Sequence, residues 1–322
     1  MKAIQFDRIG GPEVMVYRDI PAPELRPGTV LVRNHAIGVN FGDIFFTRNE
    51  YLVKARPPDT PGMEAAGVIE AIAADVTGLP PGTRVAFIGM GSYAEFTRIR
   101  AGRVIPLPDY LSFEEAAAFP IAVLTAWHTI HSCHHLIPGQ TVIVHSAAGG
   151  VGIAAVQIAK AGGARVFGTV SNDDKMALVR ESGADAVINY ETHDFAAEAM
   201  RLTDGRGVDL ILDAVGKPTF ERGLGCLAPF GHLVLYGRAS GVPDPLEPGR
   251  LFARAAKVSG FAVPMVYSMR EIHQRGLDDV FRLSREGKLK IPIGRKFQLA
   301  EAAEAHRYML SRRSTGKLLL IP

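Results

Sequence analysis

Thr141-Val142-Ile143-Val144-His145-Ser146-Ala147-Ala148-Gly149-Gly150-Val151-Gly152 runs from an apolar segment through a glycine turn into a helical stretch at 153–161. The first residues are β-branched with no polar alternation, which predicts a strand buried on both faces. Gly162-Gly163 then stops the helix. The turn meets the pattern G-x-G-x-x-G with Ala147 in the first place, Gly149 in the second and Gly152 in the third. Gly149 leaves the backbone open to a pyrophosphate, and Gly152 lets helix and strand pack closely. Free N–H groups at the helix start complete an anion site. Taken alone, the pattern is also compatible with an ordinary β–α turn, so its surroundings decide.

Downstream, further short apolar segments at 165–170, 186–190, 208–215, 232–237 and 257–262 alternate with helical ones such as 195–202. Six strands of this kind make a complete doubly wound dinucleotide fold, with a parallel sheet covered on both faces. Upstream the character differs. Segments at 29–36, 66–72, 84–88 and 92–99 read as strands separated by turn chemistry, a mostly β, barrel-like pattern. Ser112-Phe113-Glu114-Glu115 fits a capping box, and the helical stretch that follows is expected to break at Pro120. After about 265 the chain turns helical again (277–286, 299–311), and the strand at 318–321 is expected to rejoin the first domain. The expected domains are therefore 1–120 with 264–322, and an inserted α/β unit at 121–263.

At 322 residues the chain suits two domains, and its 47% apolar and 21% charged composition lies in the globular range. A formal charge of +3, with no basic run longer than Arg312-Arg313, argues against nucleic acid as a partner. No stretch reaches the roughly 18 apolar residues of a membrane span, and the N-terminus has no hydrophobic signal core. Cys133 and Cys226 are the only cysteines, so no disulfide framework exists and a cytoplasmic setting is expected. Two cysteines cannot build a four-thiolate zinc site.

Cofactor identity is read at the end of the second strand. An NAD site normally places Asp or Glu there to bind the ribose 2′-OH. Here the segment is Gly168-Thr169-Val170-Ser171-Asn172-Asp173-Asp174-Lys175. Ser171 is neutral and able to donate to a phosphate, and Lys175 with Tyr190 could complete a 2′-phosphate pocket. NADPH is the expected cofactor, although Asp173 or Asp174 would repel that phosphate if turned inward.

Several segments together resemble one family. They are Gly11-Pro12-Glu13-Val14, Gly38-Val39-Asn40-Phe41-Gly42-Asp43, Pro61-Gly62-Met63-Glu64-Ala65-Ala66-Gly67, the glycine turn, Asp213-Ala214-Val215-Gly216 and Gly316-Lys317-Leu318-Leu319-Leu320. In this order they resemble the quinone oxidoreductase (zeta-crystallin-like) branch of the zinc-free medium-chain dehydrogenases/reductases. The resemblance implies a GroES-like catalytic domain carrying an inserted Rossmann domain, and a homodimer or dimer of dimers. It also implies NADPH-dependent reduction of quinones or other conjugated carbonyls. Zinc alcohol dehydrogenases share the fold, but Asn40 and Met63 stand where they carry Cys and His ligands, and no Cys falls in 90–110.

By position, the resemblance puts Asn40 and Thr125 near nicotinamide and ribose, and Ala148, Gly149, Gly150 and Val151 on the pyrophosphate. Ser171, Lys175 and Tyr190 surround the adenine ribose. Val215, Gly216, Leu235, Tyr236, Gly237, Gly260, Phe261 and Ala262 are expected at the nicotinamide half, and Lys317 is expected to reach the cofactor. Asn40 and then Tyr51 are the catalytic candidates: Asn40 orients substrate and nicotinamide, and Tyr51 donates to the carbonyl. Phe45 stands where the family often has Tyr, so that role is lost or passes to Tyr51.

Other residues invite sharper readings. His128, His131 and His135 would share a helix face, beside Cys133 and His134, yet no carboxylate motif accompanies them and no metal is expected. Glu64 and Asp43 could be catalytic acids or could tie loops together by accepting backbone N–H bonds. Trp127 and Phe230 read as core or pocket walls, and Cys226 as a small hydrophobe in an apolar helix. Two rival functions remain open at this point. One is an enoyl-thioester or acrylate-type C=C reductase, and the other a non-enzymatic NADPH-binding crystallin-like or RNA-binding protein.

Overall fold

Six strands form a parallel sheet in the spatial order Ala186–Asn189, Arg165–Val170, Thr141–Val144, Val208–Asp213, Leu227–Leu235, Lys257–Gly260. Thr141–Val144 has Arg165–Val170 on one side and Val208–Asp213 on the other, so the winding direction reverses beside it. In open α/β sheets ligands bind outside the strands' carboxyl ends at such a switch point. Both central strands are buried along their full length, which is why their sequences are continuous apolar runs. Ile143, Phe167, Ile211, Leu233, Phe195 and Leu224 pack into the core on one side of the sheet. Each such side chain contributes roughly 1.5–3 kcal/mol relative to exposure.

The computed structural model describes residues 1–322. The chain divides into two compact units, Met1–Ile121 with Ile291–Pro322, and Ala122–Lys290. The sequence pattern predicts a return to the first unit at 264; packing instead keeps the chain in the second to Lys290. The cause is the amphipathic helix Arg270–Arg285, which buries Leu277, Val280 and Leu283. Trp127 Nε1 donates to Asp279 Oδ2 over 2.7 Å, and Gln157 bonds the Lys290 backbone through both ends of its amide.

Local readings hold where punctuation is strong. Ser112 caps Phe113–Ala117 in a capping box with Glu115, and the next helix, Pro120–His128, restarts at Pro120. Three expectations need correction. The strand expected at 232–237 begins at Leu227 and carries a register shift with Phe230 in a left-handed conformation, which leaves Phe230 72% exposed rather than in a core. Cys226 is buried at the C-cap of Lys217–Gly225, not inside a helix. The histidine segment leaves α-helical geometry after His128: Thr129–His134 is π-helical and His135 has φ 62°. The helical face that would have joined His128, His131 and His135 does not exist.

In the first unit seven strands form a mixed sheet in the order Ile293–Gln298, Lys317–Ile321, Thr29–Val39, Glu64–Ile72, Arg84–Ile88, Val104–Pro106, with Phe96–Arg100 also on Thr29–Val39. Thr29–Val39 pairs with Glu64–Ile72 across two register shifts, one with His35 as the extra residue and one with Glu70 extra on the partner, and its first residues also pair with Phe96–Arg100. Its carboxyl end pairs with the C-terminal strand in the register Leu318↔Val39, Leu319↔Gly38, Leu320↔Ile37. One step further sets Lys317 opposite Asn40. On the other side Ala65 faces Ile37, which puts Glu64 beside Gly38.

Candidate active site

Three side chains from distant parts of the first unit close a ring. Lys317 Nζ donates to Asn40 Oδ1 over 2.7 Å and to Glu64 Oε1 over 2.5 Å, and Asn40 Nδ2 donates to the same Glu64 oxygen over 2.8 Å. Glu64 is fully buried and Lys317 is 3% exposed. The other Glu64 oxygen accepts the Ile121 N–H over 2.7 Å. Gly38 makes room for this carboxylate, since a Cβ there would lie 2.5 Å from Oε1. Lys317 is therefore held by Asn40 and Glu64 of its own unit.

Asn40 also joins a second buried network. Its backbone N–H donates to Asp43 Oδ2 over 2.7 Å, closing the first turn of Phe41–Thr47. Tyr93 Oη donates to the same oxygen over 3.1 Å and lies 3.0 Å from His306 Nε2. Asp43 and His306 are both fully buried, and Asp43 Oδ1 and His306 Nδ1 have no partner. Burial pushes the Asp43 carboxyl up to about 7 against the Asn40 N–H bond and the Lys317 charge, and pushes His306 down to about 3. Tyr93 and His306 carried no signal in the sequence, because they are 213 positions apart and share no motif.

Met63, Phe6, Val14 and Phe46 form an apolar cluster against which Tyr51 and Ile121 pack. A Cβ on Gly42 would sit 3.1 Å from Met63 Sδ and 3.2 Å from the Tyr51 ring. Burial, and then the Asp43 charge, raise the Tyr51 hydroxyl above the usual phenol range.

In the second unit the expected cofactor residues gather at the strands' carboxyl ends. Gly149 caps Gly150–Ala161, whose first turn carries no acidic side chain and no side-chain cap. A Cβ on Gly149 would meet only Ser146 O at 3.4 Å, whereas one on Gly152 would strike Ser146 O at 2.3 Å and Ala147 Cα at 2.6 Å. The two glycines thus serve different ends, open access and close helix packing. Ser171 follows Arg165–Val170 directly, and the Tyr190 N–H donates to Val170 O over 3.0 Å. Asp173 Oδ1 accepts Asn189 Nδ2 over 2.8 Å, which ties down one of the two cautionary carboxylates. Asp213, fully buried, accepts the Val215 and Gly216 N–H groups and the Thr219 hydroxyl. The Tyr236 N–H donates to Asp213 O and the Phe261 N–H to Leu235 O, so Leu235–Gly237 and Gly260–Ala262 leave the same edge. Thr125, 6% exposed, lies in Pro120–His128. An open glycine turn, neutral Ser171 and a tethered Asp173 fit a dinucleotide with a 2′-phosphate.

A zinc-binding dehydrogenase family model matches residues 150–277, and an alcohol dehydrogenase GroES-like domain matches residues 26–109. Over 100% of its length the chain is 38% identical to a quinone oxidoreductase of Pseudomonas aeruginosa, covering 99% of that protein. The chain belongs to the quinone oxidoreductase branch of the medium-chain dehydrogenases/reductases. A 2-haloacrylate reductase of a Burkholderia species is 35% identical over 97% of this chain and 96% of its own. The crystal structure of Escherichia coli quinone oxidoreductase complexed with NADPH matches with a TM-score of 0.96 at 32% identity, covering 100% of both chains. The zinc named in the first family model has no ligand set here: no group of three His, Cys, Asp or Glu side chains is placed to hold a metal. No helix is long and apolar enough to cross a membrane.

Proposed function

We propose that the protein is an NADPH-dependent reductase that delivers a hydride to a quinone or another conjugated carbonyl without a metal ion. The observation that carries this reading is the occupant of the zinc-ligand positions. Asn40 and Met63 stand there, and the adjacent cation is the ammonium of Lys317, paired with Glu64. Bound NADPH supplies a hydride, two electrons and a proton, from C4 of its dihydronicotinamide.

The second unit offers the N-terminus of Gly150–Ala161 to the pyrophosphate. Ser171, Lys175 and Tyr190 are proposed around the 2′-phosphate. In the first unit the Met63–Tyr51 wall suits a flat apolar substrate, and Asn40 donates to the oxygen on which charge develops. Tyr51 is the second donor. Each hydride leaves the acceptor one proton short of hydroquinone or saturated ketone, and water supplies that proton. No strong general base is needed.

The test is NADPH oxidation, followed by absorbance, across ortho- and para-quinones, enones, acrylates and simple alcohols. Quinone or enone reduction is expected, with ethanol inert. Robust alcohol oxidation with inert quinones would overturn the reading. We further propose a homodimer or a dimer of dimers, since the edge strand Lys257–Gly260 pairs only with Leu227–Leu235 and leaves one side open. A monomer by light scattering at micromolar concentration would contradict it. A cytoplasmic setting is proposed on the two cysteines, both free.

A further inference from the structure

We propose that Lys317 and Glu64 are positioning residues that lock the Asn40 carboxamide in one orientation, leaving one defined N–H as the donor to the substrate oxygen. This rests on the reductase reading for the identity of that oxygen, but the lock itself does not.

The argument is one of donor and acceptor inventory. An ammonium has only donors and a carboxylate only acceptors. The group bonded to Lys317 must therefore be the amide oxygen, and the group bonded to Glu64 must be the amide nitrogen. A flipped Asn40 would set NH2 against NH3⁺ and two oxygens against each other, so the network dictates the amide's direction. The ring is closed, because Lys317 and Glu64 also bond each other. Closure through one side of the amide uses its oxygen and the proton cis to that oxygen. The remaining Nδ2 proton is trans to the oxygen and points away from the ring, and no protein acceptor bonds it. Asn40 is only partly buried, whereas Lys317 and Glu64 are nearly or fully enclosed. The free N–H is thus the ring's outlet.

Three further features keep the ring from moving. Ile121 N–H holds the second Glu64 oxygen, Gly38 leaves no slack beside Oε1, and the Asn40 backbone is pinned to Asp43. The ion pair is internally neutral, so the ring fixes direction without adding net charge. A donor held in advance loses little on meeting developing charge, which is where catalytic hydrogen bonds gain their advantage.

Side-chain amide NMR on protein labelled with 15N-asparagine reads the lock without substrate or cofactor, with Asn40 assigned by its loss in Asn40→Ala. One geminal proton should be protected from solvent exchange and the other not. Two equally fast protons would overturn the proposal in the wild type alone. Lys317→Met with Glu64→Leu removes both charges and both partners of the amide together and should abolish the asymmetry. It should lower kcat by about tenfold or more while the KM for NADPH changes less than about twofold. Lys317→Arg, which keeps charge and donors, should restore most of kcat. An unchanged kcat in a folded double variant would show that the pair is scaffold only. If that double variant does not fold, Lys317→Met with Glu64→Gln, which removes the donor to the amide oxygen without leaving a buried charge, carries the kcat test, and the wild-type exchange pattern still decides the lock. Failure of every quinone and enone in the wild type would sink the reductase reading, while the exchange pattern still decides the lock.

Discussion

Asn189 Nδ2 donates to Asp173 Oδ1 over 2.8 Å, holding the acidic residue nearest the end of the second Rossmann strand against the third. That contact bears on cofactor choice. Asp173 is thereby tied to the third strand, and Ser171, which follows the second strand directly, is neutral. The protein should prefer NADPH over NADH. If Lys175 pairs with the phosphate, about 1.5–3 kcal/mol is at stake, or roughly 10- to 150-fold in affinity. Lys175→Ala should raise the KM for NADPH far more than for NADH with kcat little changed, and Ser171→Asp should reverse the preference. Asn189→Ala should release Asp173 and weaken NADPH selectively. Steady-state kinetics with both cofactors checks all three, and an unmoved NADPH/NADH ratio would contradict them.

The two glycines of the turn should separate stability from binding. Gly152→Ala drives a methyl into backbone atoms at 2.3 and 2.6 Å, so it should cost about 1–3 kcal/mol of stability and lower Tm. Gly149→Ala meets nothing closer than 3.4 Å and should leave the Tm of the free protein nearly unchanged. It should still weaken dinucleotide binding, because the methyl enters space meant for the pyrophosphate. Thermal melts with and without NADPH distinguish the two.

Metal removal should have no effect. With Asn40 and Met63 at the ligand positions and Lys317 beside them, the purified protein should carry far less than one zinc per chain. Its activity should survive prolonged chelation. Elemental analysis finding a stoichiometric metal would refute this.

Acid–base behaviour should expose the Asp43–Tyr93–His306 network. The Asp43 carboxyl, raised from 3.8 to about 7, binds its proton more tightly in the folded chain. Its contribution to stability is therefore full below about 4 and is lost as pH rises to about 7. His306, lowered from 6.5 to about 3, acts in the opposite sense: stability grows as pH rises across that interval. In the wild type the two largely offset each other. Asp43→Asn removes the first and leaves the second, so its stability relative to wild type should climb between about pH 4 and 7. The climb should be on the order of a few kcal/mol. Urea titrations of the cofactor-free protein at several pH values measure it; parallel curves would show that Asp43 does not titrate in this range.

Much of the fold was legible because it rests on local rules. Strand, glycine turn and helix at 141–161 follow from β-branched runs, one close approach at Gly152 and the Gly162-Gly163 stop. The Ser112–Glu115 box and the break at Pro120 are equally local. Unit boundaries were read less well: no signal between 264 and 290 says which core the amphipathic helix Arg270–Arg285 buries its apolar face against. The histidine face failed because a π-helical turn and a left-handed His135 depend on packing, not on spacing.

What the sequence determined by itself was therefore the architecture, the nucleotide turn and the absence of zinc ligands, since each depends on residue type at short range. What only tertiary structure decided was the partnership of Asn40, Glu64 and Lys317, and that of Asp43, Tyr93 and His306. Asn40 and Lys317 lie 277 positions apart and become neighbours through the register of the C-terminal strand on Thr29–Val39. Buried polar groups must find partners wherever the fold places them. The first pairing is a property of the sheet's register and the second of how the helices Phe41–Thr47 and Ala302–Leu310 meet Tyr93, and no short motif encodes either.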